Sequence, residues 1–77
     1  MQLEIISPEK ILYSGKAELV TLPGIAGSFT VLENHAPIIS VLKQGKVIYR
    51  VSNTNNEVEI ESGFVEARQN KVSVCVE

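Results

Sequence analysis

Residues 57–76 read EVEIESGFVEARQNKVSVCV. In 57–61 the apolar Val58 and Ile60 alternate with Glu57, Glu59 and Glu61, and in 71–76 Val72, Val74 and Val76 alternate with Lys71, Ser73 and Cys75. Period-2 alternation puts one set of side chains on each face of a strand, so both runs predict strands with one buried and one wet face. Ser62-Gly63 and Gln69-Asn70 are the turn signals that bound the intervening run 64–68, FVEAR. Three short strands in 20 residues set the rhythm for the rest of the chain.

Working back toward the N-terminus, the same rhythm predicts strands at 2–6, 11–13, 16–22, 28–32, 38–42 and 46–52. They are separated by Ser7-Pro8-Glu9-Lys10, Ser14-Gly15, Pro23-Gly24, Glu33-Asn34-His35-Ala36-Pro37, Lys43-Gln44-Gly45 and a polar loop Asn53–Asn56. Nothing in the 77 residues has helical periodicity of useful length, and no repeat or linker interrupts them. Val, Ile and Thr number 21 against 4 Ala, and β-branched side chains suit pleated sheets better than helices. The expectation is an all-β fold: a single domain, 1–77, in which about nine to ten short strands form a flattened two-sheet β-sandwich.

Composition narrows the function. Hydrophobic residues make up 44% and the net charge is −2, which suits a globular chain and disfavours nucleic acid, since no basic cluster exists to neutralise phosphates. No apolar run approaches a membrane span, so no direct membrane insertion is expected. Met1 leads straight into a strand, and the chain is expected to be intracellular and soluble. Cys75 has no partner for an internal disulfide.

The candidates for chemistry are few. His35 is the only histidine and there is no Asp, so neither a metal site nor a catalytic acid–base pair is expected. The simplest role for His35 is to bond backbone within its Asn-His-Ala-Pro turn. Pro23-Gly24-Ile25-Ala26-Gly27 lacks the Lys-Ser/Thr and following helix of a phosphate loop and reads as a wide turn. Its apolar tip, Ile25-Ala26, is expected to be covered. Glu57, Glu59 and Glu61 read as a solvated face that Lys46 or Arg50 could pair across a hairpin. Residues 38–42 (IISVL) are apolar on both faces and therefore expected to be covered by something. No cofactor is expected. A biotinyl or lipoyl carrier would need a hairpin-tip lysine after methionine, and Met1 is the only methionine.

One ordered set of motifs resembles a known family. Ser7-Pro8-Glu9-Lys10-Ile11-Leu12-Tyr13-Ser14-Gly15-Lys16-Ala17 is followed by Leu22-Pro23-Gly24 and Gly27-Ser28-Phe29-Thr30-Val31-Leu32. After these come Asn34-His35-Ala36-Pro37-Ile38-Ile39-Ser40, Gly45, Gly63-Phe64-Val65-Glu66 and Asn70-Lys71-Val72. Together they resemble the N-terminal β domain of the epsilon subunit of F-type ATP synthases. The resemblance implies a non-catalytic central-stalk subunit that docks on the gamma subunit and the c-ring and couples ion-driven rotation to ATP synthesis. It would sit peripherally at the cytoplasmic face of the bacterial inner membrane. By position it implies c-ring contacts at Ser28, Phe29, Glu33, Asn34 and His35, and gamma-subunit contacts at Ser7, Ser40 and Leu42. Many relatives have an acidic residue where this chain has Ser28, so a charged c-ring contact would fall to Glu33. Relatives continue past this domain into a helical hairpin, and without that hairpin no nucleotide is expected to bind. The alternative is a generic β-sandwich interaction domain with a different partner.

Overall fold

A computed structural model describes all residues, 1–77. Nine strands appear: β1 Gln2–Ile6, β2 Ile11–Lys16, β3 Leu19–Gly24, β4 Gly27–Leu32, β5 Ile38–Leu42, β6 Gly45–Val51, β7 Thr54–Ile60, β8 Gly63–Arg68 and β9 Lys71–Val76. The all-β expectation holds. Hydrogen bonds link every strand into one path, β2-β1-β9-β8-β5-β3-β6-β7, with β4 on β3. All pairings are antiparallel except β1 with β9, which joins the first and last strands in parallel.

The path has one thin joint. β5 meets β3 only where Leu42 pairs with Gly24, while β3 pairs along its first half with β6. This joint divides the sheet into two arms, β2-β1-β9-β8-β5 and β4-β3-β6-β7, and the sheet curls there. The rings of Tyr13 on β2 and Tyr49 on β6 lie 4.6 Å apart, centroid to centroid, although these strands stand far apart along the path. The arms therefore close over one core, and hydrogen bonds join into a single path what the sequence reads as a flattened two-sheet sandwich. Burial, then the neighbouring Tyr13, holds the Tyr49 phenol above its ordinary value of 10.0.

The core is drawn from both arms. Leu3, Ile5, Val65, Val72 and Val74 come from one, and Val20, Leu22 and Val47 from the other; all are fully buried. These are the inward residues of the alternating runs. Each such burial stabilises by roughly 1.5–3 kcal/mol before conformational entropy is counted. No charged or polar residue lies in the buried set, as the cost of burying unpaired polar groups requires.

Three boundaries differ from the sequence reading, each for a physical reason. Ser14-Gly15 lies within β2, where Gly15 pairs with Leu3. A side chain there would come within 2.9 Å of the Tyr13 hydroxyl oxygen, so the glycine makes room for a ring. Pro23-Gly24 ends β3, and the tight turn falls on Ile25-Ala26. A Cβ on Gly24 would meet the Gly27 carbonyl oxygen at 2.7 Å and the Phe29 ring at 2.8 Å. The loop expected at Asn53–Asn56 is mostly strand. Ser52 and Asn53, at φ 50° and 65°, form a two-residue turn whose positive φ values suit the strand twist. Asn55 and Asn56 then pair with Arg50 and Tyr49, because an edge strand accepts polar side chains where its faces are wet.

Candidate docking surfaces

Ser7, Ser40 and Leu42 occupy different settings. The Ser7 side chain ties the turn between β1 and β2: its hydroxyl donates to the Lys10 carbonyl at 3.1 Å and accepts the Lys10 N–H at 3.2 Å. Leu42 is buried at the joint, 2% exposed, and pairs with both Gly24 and Gly63. Ser7 and Leu42 line the same groove, about 590 Å³, together with Ile6, Pro8, Val41 and Phe64. Ser40 pairs with the inward Val65 and stands outside that groove.

Around the groove, apolar side chains face outward. Val41 is 53% exposed and Ile39 67%, so nothing in this chain covers the outer face of β5. The cover expected over the Ile25-Ala26 tip is absent from the chain as well: Ile25 is 62% exposed. Its backbone is held, since the Ile25 N–H donates to the Val41 carbonyl at 3.1 Å. The tip is anchored through its backbone and bare in its side chains.

Ser28, Phe29, Glu33, Asn34 and His35 do not gather at one point. Ser28 is near the start of β4, opposite Pro23, and is exposed. Phe29 pairs with Leu22 and packs against the core. Glu33 and Asn34 follow the other end of β4, roughly 17 Å away at strand spacing. Glu33 Oε1 accepts from the Met1 ammonium at 2.7 Å, and that ammonium also donates to the Ala17 carbonyl at 3.0 Å. The hydrogen bond first, and the charge of the ammonium second, hold the Glu33 carboxyl below its ordinary value of 4.5. Asn34 adopts φ 59°, and its N–H donates to the Asn70 side-chain oxygen at 2.9 Å. His35 Nδ1 lies 2.9 Å from the Ala36 carbonyl oxygen, the backbone contact expected of it, and its Nε2 is buried without a partner.

The Met1–Glu33 pair was invisible in the sequence, because a terminal amine and a residue 32 positions on carry no periodic signal. Lys46 and Glu57 do pair, at 3.3 Å. Arg50 instead donates from Nε to Asn55 Oδ1 at 3.1 Å. No three His, Cys, Asp or Glu side chains cluster as metal ligands would, and no helix is long and apolar enough to cross a membrane.

Fold and surface define a class: a small all-β domain with a closed core, whose uncovered features are an apolar groove and sheet face of the kind proteins dock on. Comparison with known proteins narrows the class. Residues 1–77 match the family described as ATP synthase, Delta/Epsilon chain, beta-sandwich domain. The ATP synthase epsilon chain of Campylobacter fetus is 44% identical over 78 residues, and that of Leptospira borgpetersenii 36% over 77. Each match covers all of this chain and 60% and 61% of the relative. The epsilon chain of Chlorobium limicola is 36% identical, with 99% of this chain matching 88% of its length. Among solved structures, the Tetrahymena thermophila mitochondrial ATP synthase central stalk/c-ring has a chain that superposes with TM-score 0.83 at 19% identity. That match covers 99% of this chain and 62% of the other. A chain of the Euglena gracilis mitochondrial ATP synthase gives 0.90 at 16% identity, covering 96% and 48%. At such identities the superpositions speak for the fold. The chain belongs to the ATP synthase delta/epsilon family, through its beta-sandwich domain, and it spans about three-fifths of the length of the first relatives named.

Proposed function

We propose that the chain serves as the β domain of a central-stalk subunit in an F-type ATP synthase. It docks on the gamma subunit and the c-ring and carries rotation between them, with no chemistry of its own. Family membership over residues 1–77 supports the assignment to the machine. The observation that carries the docking role is the bare apolar surface of β5 beside the groove of Ser7 and Leu42. Within residues 1–77 nothing covers it.

In this reading the gamma subunit approaches along the groove. Ser7 shapes the rim, Leu42 forms the floor, and Ser40 supports β5 from within. The c-ring contact draws on Ser28 at the start of β4 and on Glu33, Asn34 and His35 beyond its far end, with Phe29 packed inward next to Ser28. The subunit then lies peripherally at the cytoplasmic face of a bacterial inner membrane. A rotor part must transmit torque without yielding, and a close-packed two-layer core resists strain.

The test is reconstitution with the gamma subunit of the same synthase. The expected outcome is a 1:1 complex that survives size-exclusion chromatography. Failure of purified, folded chain and purified gamma to associate at micromolar concentrations would overturn the proposal.

A further inference from the structure

The outward faces of the two arms differ. On the β4-β3-β6-β7 arm several polar side chains satisfy one another: Lys46 pairs with Glu57, Arg50 with Asn55, and the Thr21 and Thr30 hydroxyls meet at 2.8 Å. On the β2-β1-β9-β8-β5 arm the outward side chains fall into rows that run across the strands.

Strand register aligns Val41 with Phe64, Phe64 with Cys75, Cys75 with Ile6 and Ile6 with Ile11. This apolar row crosses five strands, about 19 Å at ordinary strand spacing. Two residues along each strand, Ile39, Glu66, Ser73 and Glu4 are aligned, and both ionisable members are carboxylates. Two residues further, Arg68, Lys71, Gln2 and Lys16 are aligned, and all three ionisable members are cations. Rows are about 7 Å apart. None of these five charged side chains forms an ion pair within the chain; the two ion pairs present lie elsewhere.

We propose that this banded face is where the gamma subunit docks, and that gamma presents the complementary order: an apolar ridge, then cations, then carboxylates. The identity of the partner rests on the central-stalk reading; the band order rests on register. The apolar row supplies burial. The charged rows set the position along the strands, because a slip of one row in either direction puts like charges opposite.

A second copy of this chain does not fit. A two-fold axis parallel to the strands lays carboxylates on carboxylates and cations on cations. An axis parallel to the rows that sets carboxylates against cations leaves both apolar rows outside the contact. The order of bands therefore selects a different chain.

Cys75 is exposed, lies in the apolar row and is the only cysteine, so its alkylation by a maleimide reports on the face directly. With the gamma subunit in excess, and complex formation checked by size exclusion, alkylation should slow on the order of tenfold or more. A thiol on the other arm, Thr30→Cys in a Cys75→Ser background, should keep its free rate. Glu66→Lys should weaken the complex by roughly tenfold while Glu59→Lys leaves it nearly unchanged, with thermal melts confirming that both variants fold. A complex in which Cys75 keeps its free rate, or in which Glu66→Lys binds like the parent, overturns the proposed face and leaves the stalk function standing. Absence of any complex with gamma overturns both. Protection of Cys75 in the chain alone, rising with its concentration, assigns the face to a second copy and overturns the proposal.

Discussion

Leu42 shows how one side chain serves both stability and surface. It is buried at the joint between arms and also forms the floor of the groove. Leu42→Glu would bury an unpaired charge, at a cost of several kcal/mol. A domain of this length holds roughly 4–11 kcal/mol in total. The variant is therefore expected to be unfolded at 25 °C by circular dichroism, so a loss of gamma binding would say nothing about the interface; a cooperative melt close to the parent's would contradict the burial. Glu33 makes a pH-dependent contribution. Its carboxyl is held below the ordinary value by the Met1 ammonium, so the folded state favours the ionised form. That contribution is fully present above the unfolded value and is lost as pH falls through the lowered folded value. Glu33→Gln should thus be less stable than the parent at neutral pH, and the gap in urea midpoint should close as the solution is acidified below the ordinary 4.5. A gap of unchanged size in acid would mean that the carboxylate charge is not its source.

At the level of elements, the two-residue hairpins carry the strain. Gln69 and Asn70 sit at φ 52° and 59°, a pair of positive values that Asn-Gly adopts more readily than Gln-Asn. Gln69→Asn, which leaves Asn70 in place, should stabilise the chain by roughly 0.5–1 kcal/mol. In a domain of this size that raises Tm by about 2–8 °C, measurable by calorimetry. Asn70 is kept because its side-chain oxygen accepts the Asn34 N–H. Adding Asn70→Gly to this variant deletes that acceptor and should give back part of the gain. Unchanged melting in both variants would remove turn strain from the account.

In the whole molecule, the arms of one curled sheet are clasped over a shared core. Tyr13 and Tyr49 bring together strands that are far apart in the hydrogen-bonded path. A double-mutant cycle replacing each by Leu should give a coupling of about 0.5–1.5 kcal/mol, obtained from urea denaturation. Strictly additive losses would place the rings out of contact in solution. The parallel pairing of β1 with β9 ties the first and last strands into the same arm, which makes the domain one cooperative unit.

Alternation in 57–61 and 71–76, turn dipeptides and β-branched composition were enough to expect an all-β chain of about nine strands and to place Val72, Val74 and Val76 inward, because a period-2 pattern is local and each strand carries its own. The ordered motifs were enough for the family. Only the folded chain shows that Gly15 and Gly24 make room for rings within strands, that the nine strands form one path, and that the Met1 ammonium meets Glu33. It also shows that Ser28 and Glu33 stand at opposite ends of β4. Each of these depends on atoms brought close across the core or between strands distant in the chain, and such proximity leaves no mark in the order of residues along a single strand.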